Sequence, residues 1–136
     1  MRPLRVFIGV AVIALAPKLV AQPLSCPAPE KPMLRADLYF GRATDGAAVV
    51  SEKQWADFVS AELTPRFPDG LTVLDGLGQW RDPSGRIVRE PSKIVIIVMP
   101  NGETAHQRLE AAAAAYKQRF HQQSVGVVTR PVCAEF

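Results

Sequence analysis

Five polar or aromatic side chains in the middle of the chain have the chemistry to bind a small molecule: Arg66, Asp75, Gln79, Trp80 and Arg81. A guanidinium group can hold a carboxylate or a phosphate through two parallel hydrogen bonds, and an indole ring offers a flat stacking surface. Four of the five fall within one short stretch. The spacing therefore predicts a binding site that is floored by Trp80, approached by the arginine side chains and placed near Tyr39.

A purely structural interpretation of the same stretch is also open. In that case Trp80 packs, Gly76 and Gly78 form a β-bulge, and Arg81 pairs with an acidic neighbour. Glycines and bulges within strands often have such geometric causes.

The sequence has no arrangement that is typical of catalysis or of metal binding. Glu90 and Lys93 could act as a general acid and a general base, although such residues more commonly form a solvated ion pair on the surface. His106 and His121 are not spaced as metal ligands. No nucleophile elbow, phosphate loop or dinucleotide fingerprint is present. We therefore predict no catalytic residue, no metal ion and no cofactor.

The chain begins like a secretory precursor. A short basic start is followed by an apolar run at residues 6–16 and by the exit segment Leu19-Val20-Ala21, which ends in a small residue. The run is shorter than the roughly 20 residues that span a bilayer, so it predicts a signal peptide at residues 1–21 that is cleaved after Ala21. An uncleaved membrane anchor is the alternative. We expect an exported protein, periplasmic or secreted, whose mature chain has no transmembrane span.

Removal of the signal peptide changes the charge balance. The whole chain has 16 Lys and Arg against 13 Asp and Glu. Arg2, Arg5 and Lys18 account for the difference, so the mature chain is balanced. Nucleic-acid binding requires a concentrated basic surface, and no nucleic-acid partner is expected.

The two cysteines, Cys26 and Cys133, lie near opposite ends of the mature chain. An even number of cysteines in an oxidising compartment predicts a disulfide. The alternative is a lipid anchor on Cys26, but the leucine of a lipidation signal is misplaced here, and Cys133 would be left unpaired.

Hydrophobic periodicity predicts four strands and two helices. Residues 36–42 alternate as a strand, and Ser51 with Gln54 forms a capping box for a helix that ends before Pro65. Residues 64–93 predict a long hairpin with a turn at Asp82–Gly85. The remaining elements are an apolar strand at 94–99, a helix at 103–120 and a strand at 124–129.

The order strand, helix, strand, strand, helix, strand predicts an α+β ferredoxin-like sandwich. Its four-stranded antiparallel sheet has the spatial order 4-1-3-2, with both helices on one face. That topology brings Cys26 and Cys133 to the same edge. Residues 22–35 would be an extended arm, and residues 36–136 one domain.

The strand at 94–99 is apolar on both faces, although the sandwich covers only one face of the sheet. Exposed apolar surface usually marks an interface. We therefore expect a homodimer through the open sheet faces, or coverage by the hairpin and the arm.

With these residues identified, the chain resembles a bacterial family known as domain of unknown function 3574. The resemblance depends on residues 65–73, on Gly78–Arg81, on Arg89-Glu90 and on Ser92-Lys93, and it extends from Leu38 to Phe136. It implies a small exported or envelope-associated protein and brings no assigned activity.

Three functions remain open at this point. The first is an exported binding or accessory module that holds a small molecule or an envelope protein on its hairpin or sheet face. The second is a cofactor-free enzyme of the dimeric ferredoxin-like kind, which needs a buried ionisable group such as Asp75 or Glu90 with a perturbed pKa. The third is a structural envelope protein.

Overall fold

The computed structural model describes residues 24–43 and 49–136. The predicted signal peptide at residues 1–21 lies outside the described residues. Among the residues that are described, no helix is both long enough and apolar enough to cross a membrane.

The predicted order of elements is confirmed. The strands are β1 (Lys31–Gly41), β2 (Thr72–Arg81), β3 (Ile87–Met99) and β4 (Gly126–Ala134), and the helical segments are α1 (Glu52–Phe58), a π-helical turn (Val59–Leu63), α2 (Thr64–Arg66) and α3 (Glu103–Phe120). The strands form one antiparallel sheet in the order β2-β3-β1-β4. This is the predicted 4-1-3-2 arrangement of the ferredoxin-like sandwich, read from the other edge.

The first helix begins as predicted and ends later. The Ser51 side chain accepts a hydrogen bond from the backbone of Gln54, whose side chain accepts from the Ser51 backbone. The expectation that Pro65 ends the helix is wrong, because helical backbone continues to Arg66. A π-helical turn precedes Pro65, which then stands in the first turn of α2, where its missing N–H is not needed.

The strands are longer than the periodicity predicted. β1 begins at Lys31, before the expected start at Ala36, because Lys31 pairs with Ala134 of β4. The alternative of a β-bulge at Gly76 and Gly78 is wrong, since each residue from Thr72 to Arg81 has one partner in β3.

The core lies between the sheet and the helices. Phe40 of β1 is fully buried and contacts Tyr116 of α3, with ring centroids 4.7 Å apart. Trp55 and Phe58 of α1 pack on the same ring of Phe40. Burial of each such side chain stabilises the fold by about 1.5–3 kcal/mol. Side chains alternate along a strand, so Tyr39 and Gly41 point to the opposite, open face.

Both cysteines are joined as predicted. Cys26 and Cys133 form a disulfide with their Cα atoms 5.6 Å apart. The bond lies where the arm enters β1, since Pro32 is the register partner of Cys133. The hairpin does not cover the open face, because β2 and β3 extend the sheet, and the arm from Lys31 onward belongs to β1.

Candidate functional site

A row of small residues crosses the open face of the sheet. Gly76 of β2 and Gly41 of β1 are both register partners of Ser92 in β3. Register partners lie side by side on one face, so three neighbouring strands carry almost no side-chain volume at this level. The result is a trough in a face that otherwise carries large side chains.

The Glu90 carboxylate lies in this trough. Its Oε1 accepts a hydrogen bond from the Trp80 indole Nε1 at 2.9 Å, and its Oε2 accepts from the Ala43 backbone N–H at 2.8 Å. A Cβ on Gly41 would stand only 2.7 Å from Oε1, so the carboxylate needs glycine at that position. Within the described part of the chain, Glu90 forms no ion pair. Two neutral donors therefore orient an anionic group that retains free lone pairs.

A cleft of about 630 Å³ surrounds this carboxylate. Tyr39 and Trp80 line it, and these residues are 44% and 41% exposed. The loop from His121 to Ser124 forms another wall, and the Gln122 side chain donates a hydrogen bond to the Ala43 carbonyl. His121 allows that loop to turn, because it ends α3 in the left-handed conformation with φ 53°.

The structure separates the five binding residues predicted from the sequence. Trp80 lies in the cleft, and Gln79 also borders it. Asp75 and Arg81 differ from Trp80 by an odd number of residues, so their side chains point to the helix-covered face. Arg66 of α2 pairs with Glu62 of the preceding π-helical turn.

The expected convergence of arginine side chains on Trp80 is therefore not seen. The Arg81 guanidinium instead donates to the Gly85 carbonyl at 3.1 Å, and its predicted alternative of pairing with an acidic neighbour is not seen among the described residues either. Asp82, the nearest acid, pairs with Arg86 at 3.0 Å.

Asp75 belongs to an ion-pair network at the edge of the helix layer. Lys93 is only 5% exposed, and its Nζ lies 2.5 Å from Asp75 Oδ1 and 2.8 Å from Glu52 Oε2. Arg42 completes the network through Glu52 Oε1 at 2.6 Å. Hydrogen bonds from Lys93 lower the pKa of Asp75 and of Glu52, and the same bonds raise the pKa of Lys93. The two cations and two carboxylates balance, so this network joins β2 and β3 to α1.

The remaining candidates from the sequence are not brought together. Glu90 and Lys93 lie on opposite faces of β3, so they do not form an acid–base pair. His121 borders the cleft, whereas His106 lines a separate groove between α3 and β4. Among the described residues, no group of three His, Cys, Asp or Glu side chains is placed to hold a metal ion.

Sequence reasoning missed the central residues of the cleft. The sequence names Glu90 as a partner of Lys93, as a possible buried ionisable group and as part of the family motif, but it assigns neither Glu90 nor Gly41 nor Ser92 to the binding site. The site could have been recognised from the alignment of Gly76, Ser92 and Gly41 in one row across the sheet. That alignment can be seen only when the strand register is known. Tyr39 was placed near the site on the basis of sequence and does line the cleft.

A family model matches most of the chain. The model of a family described as "Protein of unknown function (DUF3574)" matches residues 35–136. No curated protein matches the chain.

Several solved structures have a similar fold. A phage SAM lyase in complex with S-methyl-5'-thioadenosine matches with a TM-score of 0.60 and 18% identity, over 75% of this chain and 88% of that chain. Its apo form matches with a TM-score of 0.56 and 18% identity, over 76% and 90%. CutA from Synechococcus elongatus, complexed with a Bis-Tris molecule, matches with a TM-score of 0.51 and 13% identity, over 78% and 87%. Identities this low establish the shared fold alone.

Proposed function

The chain belongs to the DUF3574 family of proteins of unknown function, and we propose that it is a binding module whose open-face cleft holds a small cationic ligand. The observation that carries the proposal is the Glu90 carboxylate. It is oriented by Trp80 and Ala43 and has no cationic partner among the described residues.

The chemistry of the cleft favours a cation over an anion. An ammonium group placed against Glu90 gains a charge-assisted hydrogen bond, which is about twice as strong as a neutral one. Both hydrogen bonds that hold the carboxylate can remain, because each oxygen accepts more than one donor. A phosphate or carboxylate ligand would be repelled by the same group.

The two exposed aromatic rings support the same ligand class. Tyr39 and Trp80 line the cleft and present partly exposed rings. Aromatic rings attract cations through their quadrupole, typically by about 0.5–1 kcal/mol at exposed sites and more when desolvated. The cleft volume of about 630 Å³ lies within the range of about 300–1,000 Å³ that is typical of small-molecule sites.

The observations favour a binding module over an enzyme. The enzyme alternative named Asp75 or Glu90 as a buried ionisable group, but the Asp75 side chain is 81% exposed and Glu90 is partly exposed. The hydrogen bond from Lys93 also lowers the Asp75 pKa, so this carboxylate stays ionised near neutral pH and is a poor general base. A structural envelope protein would have no need of an oriented, unpaired carboxylate.

The test compares choline with its neutral isostere 3,3-dimethyl-1-butanol, monitored by tryptophan fluorescence and isothermal titration. Choline should bind, and Glu90→Gln should weaken its binding at least about tenfold, because the quaternary ammonium has no N–H and loses its electrostatic attraction to the carboxylate. The matched control is Glu110→Gln, at an exposed position of α3, and this variant should bind choline like the wild type.

Two results would contradict the proposal. One is that choline and spermidine both fail to bind at millimolar concentration. The other is that the neutral isostere binds as well as choline. S-methyl-5'-thioadenosine, the molecule held by the phage lyase, serves as a separate probe. Its binding with no effect of Glu90→Gln would indicate a ligand that the cleft recognises without the carboxylate.

Export is part of the proposal. The disulfide between Cys26 and Cys133 supports an oxidising compartment, and a disulfide-bonded Cys26 has no thiol left for a lipid anchor. Protein purified from the periplasm should begin at Gln22 and weigh two protons less than its reduced form. An acyl-chain mass on Cys26 would establish the lipid anchor instead.

A homodimer is the proposed assembly. The open face outside the cleft retains apolar side chains that are at least partly exposed. These are Leu74, Ile94, Ile96, Val98 and Val128. Sedimentation of the mature chain at micromolar concentration tests the subunit count.

A further inference from the structure

We propose that the outer edge of β2 pairs with the same edge of a second copy, so that two sheets join into one continuous sheet. This inference places the second subunit of the proposed homodimer at the sheet edge instead of on the open face, and it does not depend on ligand binding in the cleft. Its starting point is that β2 stands at one end of the strand order. No other described strand pairs with its outer side.

The edge of β2 lacks the usual protection against strand pairing. Natural proteins blunt exposed edges with proline, bulges, short strands or inward charges. β4, at the other edge, contains Pro131 next to Arg130. β2 runs from Thr72 to Arg81 with neither proline nor bulge. Its Leu77 is 93% exposed, an unusual exposure for a large apolar side chain within a strand.

Two observations establish which backbone groups face outward. The Pro91 carbonyl accepts from the Arg42 N–H, so Pro91 directs its hydrogen-bonding groups toward β1, and its β2 partner Leu77 is not bonded to it. The Asp82 N–H donates to the Arg86 carbonyl, so Asp82 points inward. Because antiparallel bonding alternates along a strand, the odd-numbered residues of β2 present their N–H and C=O groups to the outside.

Charge complementarity selects one register for a second copy. With a two-fold axis perpendicular to the sheet at Gly78, Asp75 of one copy lies opposite Arg81 of the other, and this pairing occurs twice. Both side chains point to the helix-covered face and are exposed. Leu77 then lies opposite Gln79, and their outward backbone groups exchange hydrogen bonds.

The same register suits the residue on the axis. Gly78 would meet Gly78 of the second copy as a non-hydrogen-bonded pair, in which Cα atoms approach to about 4.5 Å. Glycine allows that approach without side-chain crowding. Asp75 and Arg81, which the cleft does not bring together with Trp80, thus share one role at the edge with Gln79.

Sedimentation velocity of the mature chain is the test, with Leu77→Pro as the main variant. Proline at this position removes only an outward N–H and is tolerated at strand edges. The symmetric dimer loses two hydrogen bonds, so its dissociation constant should rise about thirtyfold. Leu77→Thr keeps the N–H and should dimerise like the wild type.

Charge reversal provides a second, independent variant. Arg81→Glu places two acids opposite each other and should dissociate the dimer, whereas Arg130→Glu on the β4 edge should not. Far-UV circular dichroism checks that the variants are folded. Leu77→Pro should still bind choline as a monomer, which would show that dimerisation through the edge and ligand binding in the cleft are independent. A wild-type monomer at 100 µM would overturn the inference. So would a dimer that survives Leu77→Pro and dissociates with Val128→Glu on the open face.

Discussion

Gly41→Ala is the sharpest probe of the cleft, because it should separate ligand affinity from stability. The new Cβ would lie 2.7 Å from Oε1 and 2.9 Å from Oε2 of Glu90, closer than a methyl group and an oxygen can approach. The carboxylate ends a flexible, partly exposed side chain, so it can move away. It then gives up its hydrogen bonds to Trp80 and Ala43.

The two effects on stability have opposite signs. Loss of the two hydrogen bonds costs about 1–2 kcal/mol, reduced by the water that replaces them. Replacing glycine in the unfolded chain contributes about 0.4–1 kcal/mol in the other direction. We therefore expect the free energy of unfolding to change by less than about 1 kcal/mol, while choline affinity falls at least about tenfold.

The assay combines urea denaturation with choline titration of the same preparations. Gly78→Ala is the matched control, since its Cβ would meet Glu90 only at an ordinary contact distance of 3.5 Å. In a Glu90→Gln background, Gly41→Ala should weaken binding no further, because both changes act through one carboxylate. Unchanged choline affinity in Gly41→Ala, or a fully additive double variant, would refute the reasoning.

Two further predictions concern stability. The pKa values of Asp75 and Glu52 are lowered by hydrogen bonds from Lys93, and that of Asp82 is lowered to about 2, chiefly by the Ser84 hydroxyl. These carboxylates contribute stability that is present above their ordinary pKa values of 3.8–4.5 and is lost as the pH falls through their lowered pKa values in the folded protein. The urea midpoint should therefore drop between pH 5 and 2, and it should drop less in Asp75→Asn. A urea midpoint that does not change with pH would contradict this prediction. Cys26→Ser with Cys133→Ser should lose about 4–5 kcal/mol, because the bond closes a loop with a sequence separation of 107. The measurement is guanidinium denaturation of the double variant and of the wild type, with the reduced wild type as the control. Equal denaturation midpoints with and without the disulfide would show that the disulfide does not stabilise the fold.

The position of Trp80 illustrates where sequence reasoning stopped. In a regular strand, the alternation of side chains places Trp80 and Asp75 on opposite faces of the sheet. A bulge at Gly76 or Gly78 would have shifted the alternation by one residue. The glycines left both interpretations open, and the unbroken pairing with β3 decided between them.

The sequence by itself determined the architecture, because the signals for it are local. The capping box at Ser51, the periodicity of α3 and the element order predicted the ferredoxin-like fold, and the fold predicted that Cys26 and Cys133 meet. Only the tertiary structure decided the site. Glu90 is held by Ala43, which is distant in the chain, and the trough exists because three strands align their small residues. Contacts of this kind depend on strand register, and register results from the packing of the whole sheet, which no local pattern in the chain encodes.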